Sequence, residues 1–228
     1  MSVKENLKLV LEEIESAKCR REIFSEEDVT LVAVTKNHGV DLMREVIDAG
    51  VKDIGENRVQ EAAEKLKVLE REGVTKHLIG HLQTNKAKQA VRLFDVIHSV
   101  DSEHLAEAVS SAAVAVGKVQ NILIQVNLAN EDTKFGVSEE NLRGLIEKVE
   151  TLENLRLRGL MMIAPNYADV EKCRPLFRGM RKIYEELKKT RQNVDMLSMG
   201  MTHDYKIAVE EGANIVRVGT AIFGERIY

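Results

Sequence analysis

Short apolar, β-branched runs alternate with helical-period segments along this chain, and that alternation admits few folds. Strand candidates lie at 31–36, 52–55, 77–80, 95–98, 121–127, 156–160, 195–198 and 214–217. Helical spacing occupies 42–50 (closed by Gly50), 57–72, 84–93, 102–116, 138–152, 171–190 and 203–211. Strict alternation demands parallel strands joined by right-handed crossovers. Eight such units in about 200 residues match a closed (β/α)8 TIM barrel near the small end of its range. The competitor is an open doubly wound sheet, which would carry a GxGxxG turn after its first strand. Here that strand ends in Thr35-Lys36-Asn37-His38. Before the barrel, Val3, Leu7, Val10, Leu11, Ile14 and Ala17 share one face of an extra N-terminal helix. One α/β barrel domain is therefore expected over 1–228. Ser138 before Glu139 and Glu140 reads as a helix cap. Pro175 sits in a first turn or kinks its helix.

Composition narrows the function. Of 228 residues, 33 are Lys or Arg and 37 are Asp or Glu, a net charge of −4. Such a surface does not draw nucleic acid or anionic lipid over its whole face. No apolar stretch approaches the roughly 20 residues of a membrane span. The acid-rich start MSVKENLKLVLEEIES reads as neither a secretory nor a transit signal. Cys19 and Cys173, far apart and outside any CxxC, fit a reducing cytoplasm.

In a parallel barrel, chemistry collects where strands end. Val32, Val34 and Lys36 share a phase, so the Lys36 amine is expected in the barrel mouth. Burial there would lower its pKa and make it a nucleophile toward carbonyls; otherwise it snorkels to water. Arg217 shares a phase with Ile215 and Gly219. It faces either a ligand acceptor or a barrel-lining acid such as Glu56 or Asp53. Ser198-Met199-Gly200-Met201-Thr202 after the seventh strand and Gly219–Gly224 after the eighth are rich in small residues. Their amides can converge on a phosphate, in the two loops where this barrel usually binds one. His77 and His81, four apart on a strand and its loop, do not suit a metal, and no metal site is expected. An amine, a phosphate cradle and an inward arginine together suit an aldehyde phosphate. Pyridoxal 5′-phosphate (PLP) fits, as does a sugar phosphate held by a Schiff-base aldolase. A fixed cation facing the pyridine nitrogen would oppose its protonation and make PLP a poor electron sink.

The motifs LVAVTK, DIGENRVQEAAEK, HLIGHLQTNK, IQVNLANEDTKFGV, GLMMIAP, LSMGMTHD and VRVGTAIFG resemble the YggS/PROSC family of pyridoxal-phosphate-binding proteins, also called PLP homeostasis proteins. The resemblance runs from about residue 28 to 226. It implies a barrel similar to the N-terminal domain of alanine racemase. It implies PLP held as a Schiff base on Lys36, with Arg217 at the pyridine nitrogen and phosphate contacts from Ser198, Gly219 and Thr220. Asn57, in the GEN motif, would line the pocket, and Met199, Gly200 and Met201 would cover the phosphate loop. His203 would face that loop or cap the next helix. Lys134 matches a family lysine that bears on PLP transfer. His38 stands where many relatives carry a second lysine, and a C-terminal lysine of some relatives is missing from GERIY.

The implied role is intracellular vitamin B6 and amino-acid homeostasis, with PLP-dependent apoenzymes as possible recipients, a monomeric state and no catalytic residue. A racemase-like enzyme is the alternative. Its second base is a tyrosine from a partner's C-terminal β-domain, which a chain ending at Tyr228 is expected to lack.

Overall fold

The computed structural model describes residues 2–21, 28–69, 73–131 and 134–224. Eight strands close into one parallel barrel in sequence order. They are β1 (Thr30–Val34), β2 (Asp53–Glu56), β3 (Thr75–Leu78), β4 (Val96–Val100), β5 (Gln120–Gln125), β6 (Leu155–Met161), β7 (Met196–Met201) and β8 (Ile215–Val218). Closure is made by β1 on β8, with Val32 opposite Arg217.

Helices α1 (Val3–Cys19), α2 (Val40–Asp48), α3 (Val59–Leu69), α4 (Ala87–Leu93), α5 (Glu103–Val114), α6 (Glu139–Glu150), α7 (Arg174–Thr190), α8 (Tyr205–Glu210) and α9 (Thr220–Phe223) surround it. The eight expected strands and the N-terminal helix are thus present. The tail of the expected 57–72 helix, at 70–72, lies outside the described residues. No helix among the described residues is long and apolar enough to cross a membrane.

Local chemistry explains the element ends. Ser2 and Glu5 form a reciprocal capping box that starts α1. The helix buries Val3, Leu7, Val10, Ile14 and Ala17 and packs on α2, α8 and α9. Pro175 lies in the first turn of α7, where its missing N–H costs nothing. Ser138 stands at the cap of α6, but its hydroxyl accepts from Asn141 Nδ2 at 3.0 Å instead of from a backbone amide. Both cysteines are free thiols, Cys19 exposed and Cys173 buried.

Side chains alternate between a wide apolar layer under the helices and the narrow barrel interior. Half of that interior is apolar: Val96, Leu123 and Met161 cluster there with Ile163 and Met196. The other half is polar, built from Asp53, His77, His98, Ser198 and Arg217.

The β6–β7 contact depends on one glycine. Gly159 has φ of +148°, and an added Cβ would stand 1.8 Å from the Met196 carbonyl oxygen. Gly159→Ala is expected to force these strands apart and cost roughly 2–4 kcal/mol, read as a lower urea midpoint.

Candidate functional site

The turn after β1 carries Lys36, in phase with inward Val32 and Val34, and half-buried. Its neighbours are clamped from behind. Thr35 is fully buried and donates from Oγ1 to Glu56 Oε1 at 2.6 Å. Lys65 on α3 donates to the Thr35 carbonyl (2.8 Å), to Glu56 Oε1 (3.0 Å) and to Glu61 Oε1 (2.5 Å). The Asn37 amide donates to the same Glu61 oxygen, and Asn37 takes a left-handed φ of +61°. The carbonyl before Lys36 and the amide after it are therefore both fixed by α3. Burial pushes the Glu56 carboxyl up, against the pull of Thr35 and Lys65. Hydrogen bonds to Lys65 and Asn37 hold Glu61 below its ordinary value, although burial opposes them. Glu56 faces α3, so the expectation that it lines the barrel is corrected.

A cavity of about 420 Å³ opens at the C-terminal strand ends. Lys36, Asn57, Arg217, Gly219 and Thr220 line it together. The β1–β8 contact is close: a Cβ on Gly219 would lie 3.2 Å from Val34 Cβ and 3.3 Å from its carbonyl oxygen.

Three expected site residues are not among those that line the cavity. Ser198 is fully buried beneath the cavity, where it binds His98 and Arg217 and does not line the wall. Met199 is fully buried in the main apolar cluster. Gly200, with φ of +93°, lets α8 approach, since a Cβ would meet Ala208 Cβ at 2.6 Å.

The reason is a register shift between Ser198 and Met201, which carries β7 through what was read as a loop. The lining residues from that side are Met201, Thr202, His203 and Asp204. Thr202 Oγ1 accepts from the Gly219 amide at 3.2 Å, tying the two loops together. Asp204, not His203, caps α8. His203 meets the Tyr167 carbonyl through Nε2 at 3.1 Å. Lys134 reaches the Ala164 carbonyl on the cavity wall (3.2 Å) and pairs with Glu131 (2.7 Å). The His38 ring packs on Phe223 with centroids 4.6 Å apart.

Arg217 is 2 % exposed. It donates from Nη1 to Ser198 Oγ (2.7 Å) and from Nη2 to the Met162 carbonyl (2.9 Å). The alternative pairing with Glu56 or Asp53 is not made. Burial pulls its pKa down to about 10, with Asp204 opposing, so it remains a cation at neutral pH. Burial in turn pushes Asp204 up.

Behind Arg217 runs a chain that sequence reading missed: Ser198 Oγ to His98 Nδ1 (3.0 Å), His98 Nε2 to His77 Nδ1 (2.8 Å), His77 Nε2 to Asp53 Oδ1 (2.9 Å). Strand phase carried the signal, because His77 alternates with buried Leu78 and His98 with Ile97. Weighing His77 only against His81 as a metal pair hid it. His81 instead stacks on Phe135 with centroids 3.6 Å apart, 3.7 Å from Asp101.

Residues 16–227 match the family model described as alanine racemase, N-terminal domain. A pyridoxal phosphate homeostasis protein of Aquifex aeolicus is 42% identical, with both chains covered fully. One of Escherichia coli is 37% identical over 98% of this chain and 96% of its own. The chain belongs to the pyridoxal phosphate homeostasis family. Among solved structures, PipY of Synechococcus elongatus with PLP bound superposes with a TM-score of 0.84 at 36% identity, covering 98% of this chain and 100% of its own. Alanine racemase of Clostridium difficile shares the fold: TM-score 0.75, 16% identity, 98% of this chain and 58% of that one.

The cavity suits the ligand named in that family. Asn57 Oδ1 is buried with no partner among the described residues, an acceptor awaiting a donor. Gly219 leaves open a space beside Val34 that a side chain would fill. Arg217 supplies a fixed cation on the same wall.

Lys65→Met is expected to cost about 3–5 kcal/mol in urea unfolding at neutral pH, because it strands a buried carboxylate. Glu56 already binds protons more readily than usual, so acidification neutralises it and the deficit should shrink as pH falls. Lys65→Arg should recover part of the loss.

Proposed function

We propose that this chain binds PLP in the barrel mouth and serves PLP homeostasis, with Lys36 as the residue that holds the aldehyde. The observation that carries this reading is the meeting of Lys36, Arg217 and the Gly219–Thr220 turn in one cavity. Family membership and the PLP-bound PipY structure support it. When bound, PLP supplies an aldehyde that condenses reversibly with a primary amine and releases water. Lys36 brings that amine, on a turn that α3 keeps still. The Ile222 and Phe223 amides are taken by the Gly219 carbonyl and the Gly219 amide by Thr202, which leaves the Thr220 and Ala221 amides of the turn for the phosphate. Asn57 offers its unpartnered oxygen to a ligand donor.

Holding, more than turnover, follows from Arg217. A guanidinium with a pKa near 10 stays charged at neutral pH. Set against a pyridine nitrogen, it opposes protonation of that nitrogen, and an unprotonated ring withdraws electrons weakly. A carrier that shields a reactive aldehyde and releases it to apoenzymes in the cytoplasm, as a monomer, is consistent with this chemistry.

Added PLP is expected to produce a visible absorbance band. Borohydride reduction should then fix a pyridoxyl adduct on the peptide containing residue 36, seen by mass spectrometry. Lys36→Ala should lose both signals; an undiminished adduct would place the amine elsewhere. A sugar phosphate trapped in preference to PLP would instead point to an aldolase. Rapid α-proton exchange of amino acids in D₂O would point to a racemase.

A further inference from the structure

The barrel interior holds two histidines and an aspartate that the reading above does not use. We propose that Asp53, His77, His98 and Ser198 are positioning residues for Arg217, forming a one-way hydrogen-bond chain that sets the direction and charge of the guanidinium at the cavity floor. The proposal deepens the PLP reading and rests on it for the ligand.

Donor counting gives the chain its direction. A guanidinium only donates, and Arg217 Nη1 gives to Ser198 Oγ. Ser198 keeps a second lone pair as well as its proton, so the far end decides. A carboxylate at Asp53 only accepts, which puts the proton of a neutral His77 on Nε2, given to Asp53 Oδ1 at 2.9 Å, and leaves His77 Nδ1 an acceptor. The ring proton of His98 must then sit on Nε2, which donates to His77 Nδ1 at 2.8 Å. That makes Ser198 the donor to His98 Nδ1 at 3.0 Å. Every bond donates in the same sense, from cation to carboxylate. Each ring has one permitted tautomer while it is neutral, and reversing the chain requires a second proton on a ring. Burial, aided by His77 and Arg217, drives His98 protonation well below its ordinary range. Among the described residues, His77 and Arg217 act on His98 and Asp204 on Arg217, and Lys36, His203 and Asp204 share the cavity with Arg217.

The chain answers a physical problem. A desolvated guanidinium with no carboxylate in contact is costly. Asp204 offsets part of that cost through its charge, and Asp53 adds to it through the chain, because linked hydrogen bonds polarise one another in a low dielectric. Ser198 and the Met162 carbonyl take one donor from each terminal nitrogen of the fork, and Arg217 also lines the cavity.

The test uses Asp53→Asn, Ser198→Ala and His98→Gln in the full chain. Asp53 is outside the cavity lining, and asparagine keeps an acceptor for His77 while removing the charge. Nitrogen-15 NMR of the imidazoles, without PLP, is expected to show His77 and His98 both protonated at Nε2. Asp53→Asn should move the His98 ring signals. A proton on His98 Nδ1, or silence at His98, overturns the proposal. With PLP, all three variants should weaken binding by about tenfold, the low end for loss of outer support at a site. They should also shift the pH at which the bound absorbance titrates, while the adduct stays on residue 36. Unchanged affinity and titration in folded Asp53→Asn would reduce the chain to packing and overturn the proposal. No band in the unsubstituted protein would overturn the PLP reading instead, and the imidazole spectra would then decide the chain alone.

Discussion

The pairing of β1 with β8 is the contact on which the site depends. It joins the first strand to the last, residues nearly two hundred apart, and puts Val32 opposite Arg217. Without it Lys36 and the 219–220 turn belong to opposite edges of an open sheet. Gly219 makes the final approach possible, because a methyl group there would press on the Val34 side chain and carbonyl. Lys36 and the 219–220 turn are therefore brought together by backbone geometry.

Closure also creates the problem that the polar interior solves. An eight-stranded barrel is just wide enough for its own side chains. An arginine placed inside has no water and must be satisfied by its neighbours. Apolar Val96, Leu123, Met161 and Met196 fill one half of the interior, and the other half is given over to hydrogen bonding. Removing one member of such a set leaves buried donors and acceptors stranded, at roughly 1–3 kcal/mol for each group.

Strand and helix order was legible because the periods differ: buried parallel strands read as short β-branched runs, and helices as 3.6-residue patterns. The inward phase of Lys36 and Arg217 was legible from alternation alone. Strand ends were less so. β7 runs on to Met201 because a register shift at a left-handed glycine lets pairing resume with Arg217. No single-chain periodicity announces such a shift. Reading Ser198 as a loop residue followed from this, and the burial of the Met199 side chain beneath the helices went unforeseen for the same reason. Partner choice was also hidden. Glu56 and Asp53 looked equivalent as acids on one strand, yet their spacing of three puts them on opposite faces, one toward Lys65 and the other toward His77.

That separation divides the labour of the site. Acids on the outer face of β2 and on α3 fix the backbone that carries the amine. The acid on the inner face of β2 reaches the cation through two rings and a hydroxyl. One four-residue strand thus serves both ends of the cavity without contributing a carboxylate to its wall. A carboxylate in contact with Arg217 would cancel the positive field that the cavity presents. Asp204 lines the same cavity and acts on Arg217 without a hydrogen bond to it; on the proposed chain, Asp53 adds its support from the far end of a row of neutral groups. Among the described residues no carboxylate hydrogen-bonds Arg217, which donates to the Ser198 hydroxyl and the Met162 carbonyl, and an anionic or electron-rich ligand needs a cation that is stabilised but not neutralised.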